Sequence, residues 1–291
     1  MKRRLVFWRV LTLGALLLAG LAFIGQVPEA AISTGDQVAR IHVEDVIFHD
    51  PYALDVISEI GEAEGVKALL VHIDSPGGTV VGGETLYKAL RDVAADKPVV
   101  ALMGELATSA GYMTAIGADR IYAHEGTITG SIGVIMQTAD LTGLLDKLGI
   151  KPETIKSGEL KAVPNPLEPM TERARTAVEA TVVDFFGYFK GLVQDRRGYE
   201  ASEIERLADG RVYTGRQALE NRLIDAIGDE GDALDWLVSE QGLDAEIPVV
   251  DWNIVEPEDS LEALLGAFSG KALVSEILTL DGLISLWHPA R

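Results

Sequence analysis

From residue 38 onward, short runs rich in β-branched residues alternate with stretches of helical periodicity, and few folds accommodate that alternation. The pattern predicts strands at 38–43, 66–73, 98–103, 120–123 and 131–135, with helices at 52–63, 82–95 and 109–118 between them. A strand, a helix and another strand in succession pair in parallel through right-handed crossovers, so the fold class is α/β. Ala68-Leu69-Leu70-Val71 is apolar at every position, as a strand covered by helices on both faces should be. Further helical stretches are predicted at 171–194 and 203–221, followed by an acidic tail. In that tail Leu261, Leu264, Leu265, Phe268, Leu273, Val274, Ile277 and Leu278 recur at helical spacing, which predicts amphipathic helices that pack on the core or on another subunit.

The first 29 residues are of a different kind. Lys2, Arg3, Arg4 and Arg9 precede an unbroken apolar run over 10–25, in which Thr12 has the only hydroxyl. Counted from Leu5, with Arg9 snorkelling, the run reaches about 31 Å as a helix, which matches a bilayer core. A cleaved signal peptide is the competing reading, but Gln26-Val27-Pro28-Glu29-Ala30 offers no small-x-small cleavage site. An uncleaved N-terminal transmembrane helix is therefore expected at 1–29, with a polar linker over 30–37. The early cations place the N-terminus inside and the body outside a bacterial-type cytoplasmic (inner) membrane. The formal charge of −20 comes from 45 acidic and 25 basic side chains. Because all four early cations belong to the anchor, the exported body is still more acidic, which excludes a nucleic-acid partner.

The chain has no cysteine, so thiolate nucleophiles, disulfides and Cys-ligated metals are excluded. No His-Glu-x-x-His or comparable cluster points to a metal, and no cofactor is expected. Three serines stand at strand ends beside glycine: Ser75 in Asp74-Ser75-Pro76-Gly77-Gly78, Ser109 in Thr108-Ser109-Ala110-Gly111-Tyr112, and Ser131 in Gly130-Ser131-Ile132-Gly133. Sites in open α/β sheets form at the carboxyl ends of strands. The glycines after Ser75 suit a cradle of backbone N–H groups better than a nucleophile. Ser109 opens a helix, where the next N–H and the helix dipole face developing negative charge; a plain N-cap is the alternative reading. A serine nucleophile needs a base. The five histidines, His42, His49, His72, His124 and His288, carry no local triad signature. Lys156 and Lys161, in Lys156-Ser157-Gly158-Glu159-Leu160-Lys161, are alternatives, since a desolvated lysine can activate a hydroxyl.

Taken together, Asp74-Ser75-Pro76-Gly77-Gly78, Thr108-Ser109-Ala110-Gly111-Tyr112, Ile128-Thr129-Gly130-Ser131-Ile132-Gly133-Val134, Lys156-Ser157-Gly158 with Lys161, and Asp209-Gly210-Arg211-Val212-Tyr213-Thr214-Gly215 resemble the signal peptide peptidase A family. Five motifs in the right order, from about Val38 to Gly228, carry the resemblance. It implies a ClpP/crotonase-like fold over 38–240, followed by a C-terminal extension at 241–291. It implies a membrane-associated serine peptidase in which Ser109 is the nucleophile, Lys161 the general base and Ser131 the hydroxyl that orients the lysine, with the N–H groups of Gly78 and Ala110 as the oxyanion hole. Peptide substrates such as signal-peptide remnants and a homo-oligomeric ring are implied with it. Ala110 stands where the family commonly has glycine, and Asn221-Arg222-Leu223-Ile224-Asp225 lacks the glycine usual before its Leu and Asp. An acyl-CoA hydratase or isomerase on the same fold is the alternative activity, disfavoured because coenzyme A is polyanionic and the body strongly acidic. A catalytically inactive membrane scaffold is the third reading.

Overall fold

The computed structural model describes residues 35–255 and the backbone of 284–286. The expected anchor at 1–29 and most of the tail lie outside the described residues. Among the described residues no helix is long and apolar enough to cross a membrane.

The first half of the chain alternates as its periodicity predicts. It runs β1 (Gln37–Ile47), α1 (Pro51–Glu62), β2 (Val66–Thr79), α2 (Val80–Val93), β3 (Val99–Thr108), α3 (Ala110–Ala115), β4 (Arg120–Ala123) and β5 (Ile128–Gly130). Then come α4 (Thr142–Leu148), α5 (Glu172–Arg197), α6 (Ala201–Leu207), β6 (Val212–Thr214), α7 (Gly215–Glu220), β7 (Ala226–Ile227), α8 (Glu230–Gln241), β8 (Val249–Asp251) and β9 (Ile284–Leu286). The sheet order is β6-β5-β3-β2-β1-β8, with β4 and β7 branching from the first half of β3 and β9 pairing the end of β2. β1, β2 and β3 run parallel, whereas β9 and β6 pair their neighbours antiparallel. Alternate residues of β2 feed two cores. Leu69 and Val71 pack with Ile57 and Ile60 of α1 and Leu90 of α2, while Ala68 and Leu70 pack with Ala233 and Leu237 of α8. The α/β class follows from this two-sided burial.

The central strands are longer than their periodicity predicts because each is interrupted at the same level. Register shifts fall between Glu44 and Val46 in β1 and between Ile73 and Ser75 in β2, and Ser75 pairs Ala107 although Ile73 pairs Met103. Such bulges bend a sheet and re-aim side chains. The bend is held by two neighbouring side chains. Asp74 accepts from the N–H of Leu106 (3.1 Å) and of Glu105 (3.4 Å). The buried Ser75 donates to the Asp45 carbonyl (2.5 Å) and accepts from Gly77 N–H (3.1 Å). Beyond the bend β2 lies so close to β1 that a Cβ at Gly78 would sit 1.9 Å from the Ile47 carbonyl oxygen, so only glycine fits there.

Several elements differ from expectation. The strand predicted at 131–135 ends instead at Gly130, because Gly130 (φ 82°) and Ser131 (φ 51°) both turn the backbone out of the extended region. The helix predicted over 203–221 is split into α6, β6 and α7, with Gly210 (φ 85°) in the break. The helix expected to run from Ser109 to Ala118 stops at Ala115. The expected helical tail over 241–291 contains the strands β8 and β9, since these backbones complete the ladders of β1 and β2.

Candidate active site

Ser109 sits where β3 passes into α3, and its backbone is strained. Its φ of 57° and ψ of −116° lie where residues with a Cβ rarely go, a conformation costing roughly 1–3 kcal/mol. An N-cap serine has extended backbone and accepts from the helix's free N–H groups; Ser109 makes no such bond. The hydroxyl oxygen is buried without any hydrogen-bond partner. The neighbours hold the strain in place. Ser109 N–H donates to the Gly130 carbonyl and its own carbonyl accepts from Met113 N–H, both at 2.8 Å. Gly83 allows α2 to pack against Ala110, since a Cβ there would lie 3.1 Å from the Ala110 Cβ. This geometry matches the sharp strand-to-helix turn that presents a nucleophilic serine in other α/β enzymes, and it sets aside the capping reading of Ser109.

The remaining serines and glycines converge on this turn. Thr108 Oγ1 donates to the Pro76 carbonyl (2.9 Å), which ties the end of β3 to the Pro76-Gly77-Gly78 segment. Thr129 Oγ1 donates to the Ala107 carbonyl (2.6 Å), which ties β5 to the same strand. Ser131 follows Gly130, the residue whose carbonyl binds Ser109, and its own N–H donates to the Arg211 carbonyl (2.8 Å). A Cβ at Gly130 would lie 2.6 Å from the Tyr213 ring. The Asp209–Gly215 motif thus anchors the Gly130–Ser131 turn. Gly78, Ser109, Ala110 and Ser131 therefore lie around one strand end. Ser75, first read as part of a cradle, uses its hydroxyl to pin the bend, and Asp74, Thr108 and Thr129 share that work. Sequence reasoning gave these three no role, although each stands inside a recognised motif directly before or near one of the serines.

The two lysines are distinguished by their surroundings. The Lys156 ammonium pairs with Glu168 and holds that carboxyl below the usual carboxylate range. Lys161 is exposed, and its ammonium makes no hydrogen bond or ion pair with the described residues. Only its backbone is engaged, in a turn closed by Lys161 N–H and the Gly158 carbonyl at 3.0 Å. No hydrogen bond therefore joins Lys161 to Ser109 among the described residues. The stretch that carries it is bare. From residue 135 to residue 188, Ala174 is the one buried side chain, and Leu144, Leu148, Ile150 and Ile155 are exposed, Ile155 at 95%. A cavity of ≈ 590 Å³ opens between the segment after Ser131 and the Lys161 loop, lined by Ile135, Met136, Val163, Pro164 and Met170 among others. No histidine takes the lysine's place: the described ones bond elsewhere or not at all, and His72 Nε2 meets Glu230 at 2.7 Å. Among the described residues there is no group of three or more His, Asp or Glu that could hold a metal ion.

The family model described as Peptidase family S49 matches residues 91–244, which include Ser109, Ser131, Lys156 and Lys161. The chain is 36% identical over 239 residues to a putative protease of Synechocystis sp., covering 81% of this chain and 86% of that one. It is 32% identical over 240 residues to a putative signal peptide peptidase SppA of Enterococcus faecium, with 81% and 68% covered. Among solved structures, a point mutant of the 1510-N membrane-bound stomatin-specific protease overlaps with a TM-score of 0.49 at 16% identity, covering 77% of this chain and 100% of that one.

Proposed function

The chain belongs to peptidase family S49, and from that premise we propose that it is a serine endopeptidase whose nucleophile is Ser109 and whose general base is Lys161, supplied by a neighbouring copy of the chain. The observation that carries this reading is the strained backbone of Ser109 together with its buried, unpartnered hydroxyl. Backbone strain at a residue with a free nucleophilic atom is retained where the chemistry requires that orientation. The neutral amine of Lys161 takes the Ser109 proton as Oγ attacks the scissile carbonyl, and the Ser131 hydroxyl orients the amine. Backbone N–H groups of Gly78 and Ala110 stabilise the oxyanion, and the same lysine returns its proton to the leaving amine. Water then hydrolyses the acyl-Ser109 ester.

A lysine that serves as a base near neutrality must be desolvated, lowering its pKa by roughly three units, or about 4 kcal/mol. Among the described residues nothing covers Lys161, so in this reading a partner surface desolvates it, and the exposed apolar side chains at 144–155 fit one. A ring of protomers meets this need at every site. Substrates in this reading are peptides with apolar side chains, including signal-peptide remnants. The N-terminal segment anchors the enzyme beside them, with its body outside the cytoplasm.

Separate Ser109→Ala and Lys161→Ala substitutions test the assignment. Each should lower kcat/KM on an unfolded apolar peptide by roughly a thousandfold or more. Acid quenching should trap an acyl group on the Ser109 peptide of the wild-type enzyme. Full activity in either variant, or a kcat/KM flat from about pH 5 to about pH 9, contradicts the pair.

A further inference from the structure

The peptide bond between Pro76 and Gly77 is gripped at both of its polar ends. Its carbonyl accepts from Thr108 Oγ1 at 2.9 Å, and its N–H donates to Ser75 Oγ at 3.1 Å. Thr108 and Ser75 are both fully buried. The grip matters because this peptide is otherwise free to turn. Proline fixes only the torsion before it, and Gly77 stands at φ 115°, where side chains are rarely tolerated. A Pro-Gly peptide rotates between two orientations, which is the difference between type I and type II turns. Ser75 belongs to the same strand as this peptide and moves with it. Thr108 reaches across from β3, one residue before Ser109, and so refers the peptide to the strand that carries the nucleophile. The next N–H along the chain is that of Gly78, and a rotation of the Pro76–Gly77 peptide passes through Gly77 to reach it.

We propose that Thr108 is a positioning residue for peptide hydrolysis: its bond to the Pro76 carbonyl holds the Gly78 N–H where the oxyanion forms over Ser109. The proposal rests on the reading of Ser109 as nucleophile and Gly78 as oxyanion donor, since that is what gives the spacing between them a chemical use. Thr108 itself touches no reacting atom. A donor stabilises an oxyanion only from about 2.7–3.1 Å, so a small rotation of the peptide forfeits it. The loss is felt in the transition state and not in the bound substrate, so kcat falls while KM stays.

The test uses the full-length enzyme with Thr108→Val and Thr108→Ala, which remove the donor, and Thr108→Ser, which keeps it. Both donor-free variants should lose roughly 10- to 100-fold in kcat on an apolar peptide at unchanged KM. The inhibition constant of an apolar peptide aldehyde, which forms a hemiacetal oxyanion on a serine, should rise by the same factor. That constant does not depend on how much of the protein is folded, so a merely structural role for Thr108 would leave it where it was. Thr108→Ser should restore both quantities to within about twofold of the wild type, and the pH midpoint of kcat/KM should be the same in all four proteins. An inhibition constant unchanged in the donor-free variants, or one that Thr108→Ser fails to restore, overturns the proposal alone. An aldehyde that binds Ser109→Ala as tightly as the wild type overturns the nucleophile reading, and the proposal with it.

Discussion

The strand bend around Ser109 and the stretch from residue 135 to residue 188 contribute to the same proposed site in opposite ways. At the bend, Asp74, Ser75, Thr108 and Thr129 are all bonded to backbone groups of adjacent strands, and Ser109 is the one hydroxyl among them left unpaired. The stretch carrying Lys161 buries one side chain and presents isoleucines and leucines to solvent. A chain can preorganise a nucleophile by itself, because fixing a turn needs only local hydrogen bonds and packing. Desolvating a lysine requires a covering surface; the described residues supply none over Lys161, and in the proposed reading it comes from a neighbouring copy.

The contrast can be broken by substitutions that affect one region and spare the other. Ile155→Glu should cut peptidase activity roughly tenfold or more and make the remainder depend on protein concentration, while the urea midpoint moves by no more than about 0.5 kcal/mol in stability. Activity that ignores this change would mean the bare stretch has no partner to meet. Ser75→Ala should do the reverse. It removes the hydrogen bond to Asp45 and strands the Gly77 N–H, so a urea melt should show a loss of about 1–3 kcal/mol. An unmoved midpoint would show that the bend is not held by side chains.

The smallest effect concerns pH in the middle of β2, just before the bend. His72 stacks on His42 and bonds Glu230 beside Arg40, and burial pushes its pKa below the ordinary imidazole value, more than Glu230 restores it. As pH falls through about 6.5 the unfolded chain takes up that proton first, so folding stability should decline with acidification until His72 itself protonates. Denaturant midpoints measured from neutral to mildly acid pH should fall for the wild type and fall less for His72→Gln. Equal slopes would remove His72 from the account.

How much of this was legible in the sequence follows from what periodicity can report. Ala68 to Val71 announced a strand buried on both faces, and that strand forms the centre of the sheet. Ser109 and Ser131 directly follow the ends of β3 and β5, as their motifs predicted, whereas Ser75 lies inside β2, which runs on to Thr79. Periodicity could not report the bend, because a bulge inserts residues into one strand relative to its neighbour and interrupts the alternation it would be read from. The predicted strands therefore stopped at Ile73 and Met103, short of the site. Nor could it report the φ of Ser109, which is imposed by Gly130, Met113 and the packing of α2 on α3. The helix predicted through Gly210 failed because apolar residues on both sides kept helical spacing while Arg211 and Tyr213 were drawn to the turn after β5. The proposed base was recognisable only by resemblance to a family. The described residues leave Lys161 in solvent, and no pattern within a sequence specifies where a neighbouring copy would sit.

The central claim is that one protomer holds the nucleophile and its neighbour supplies the base. Ser109→Ala and Lys161→Ala proteins, each inactive alone, should be unfolded together, refolded as a mixture and assayed on an apolar peptide. Shared sites predict activity of about a quarter of the wild-type level in an equal mixture, from interfaces that unite an intact Ser109 with an intact Lys161. A mixture as inactive as its components would contradict the account.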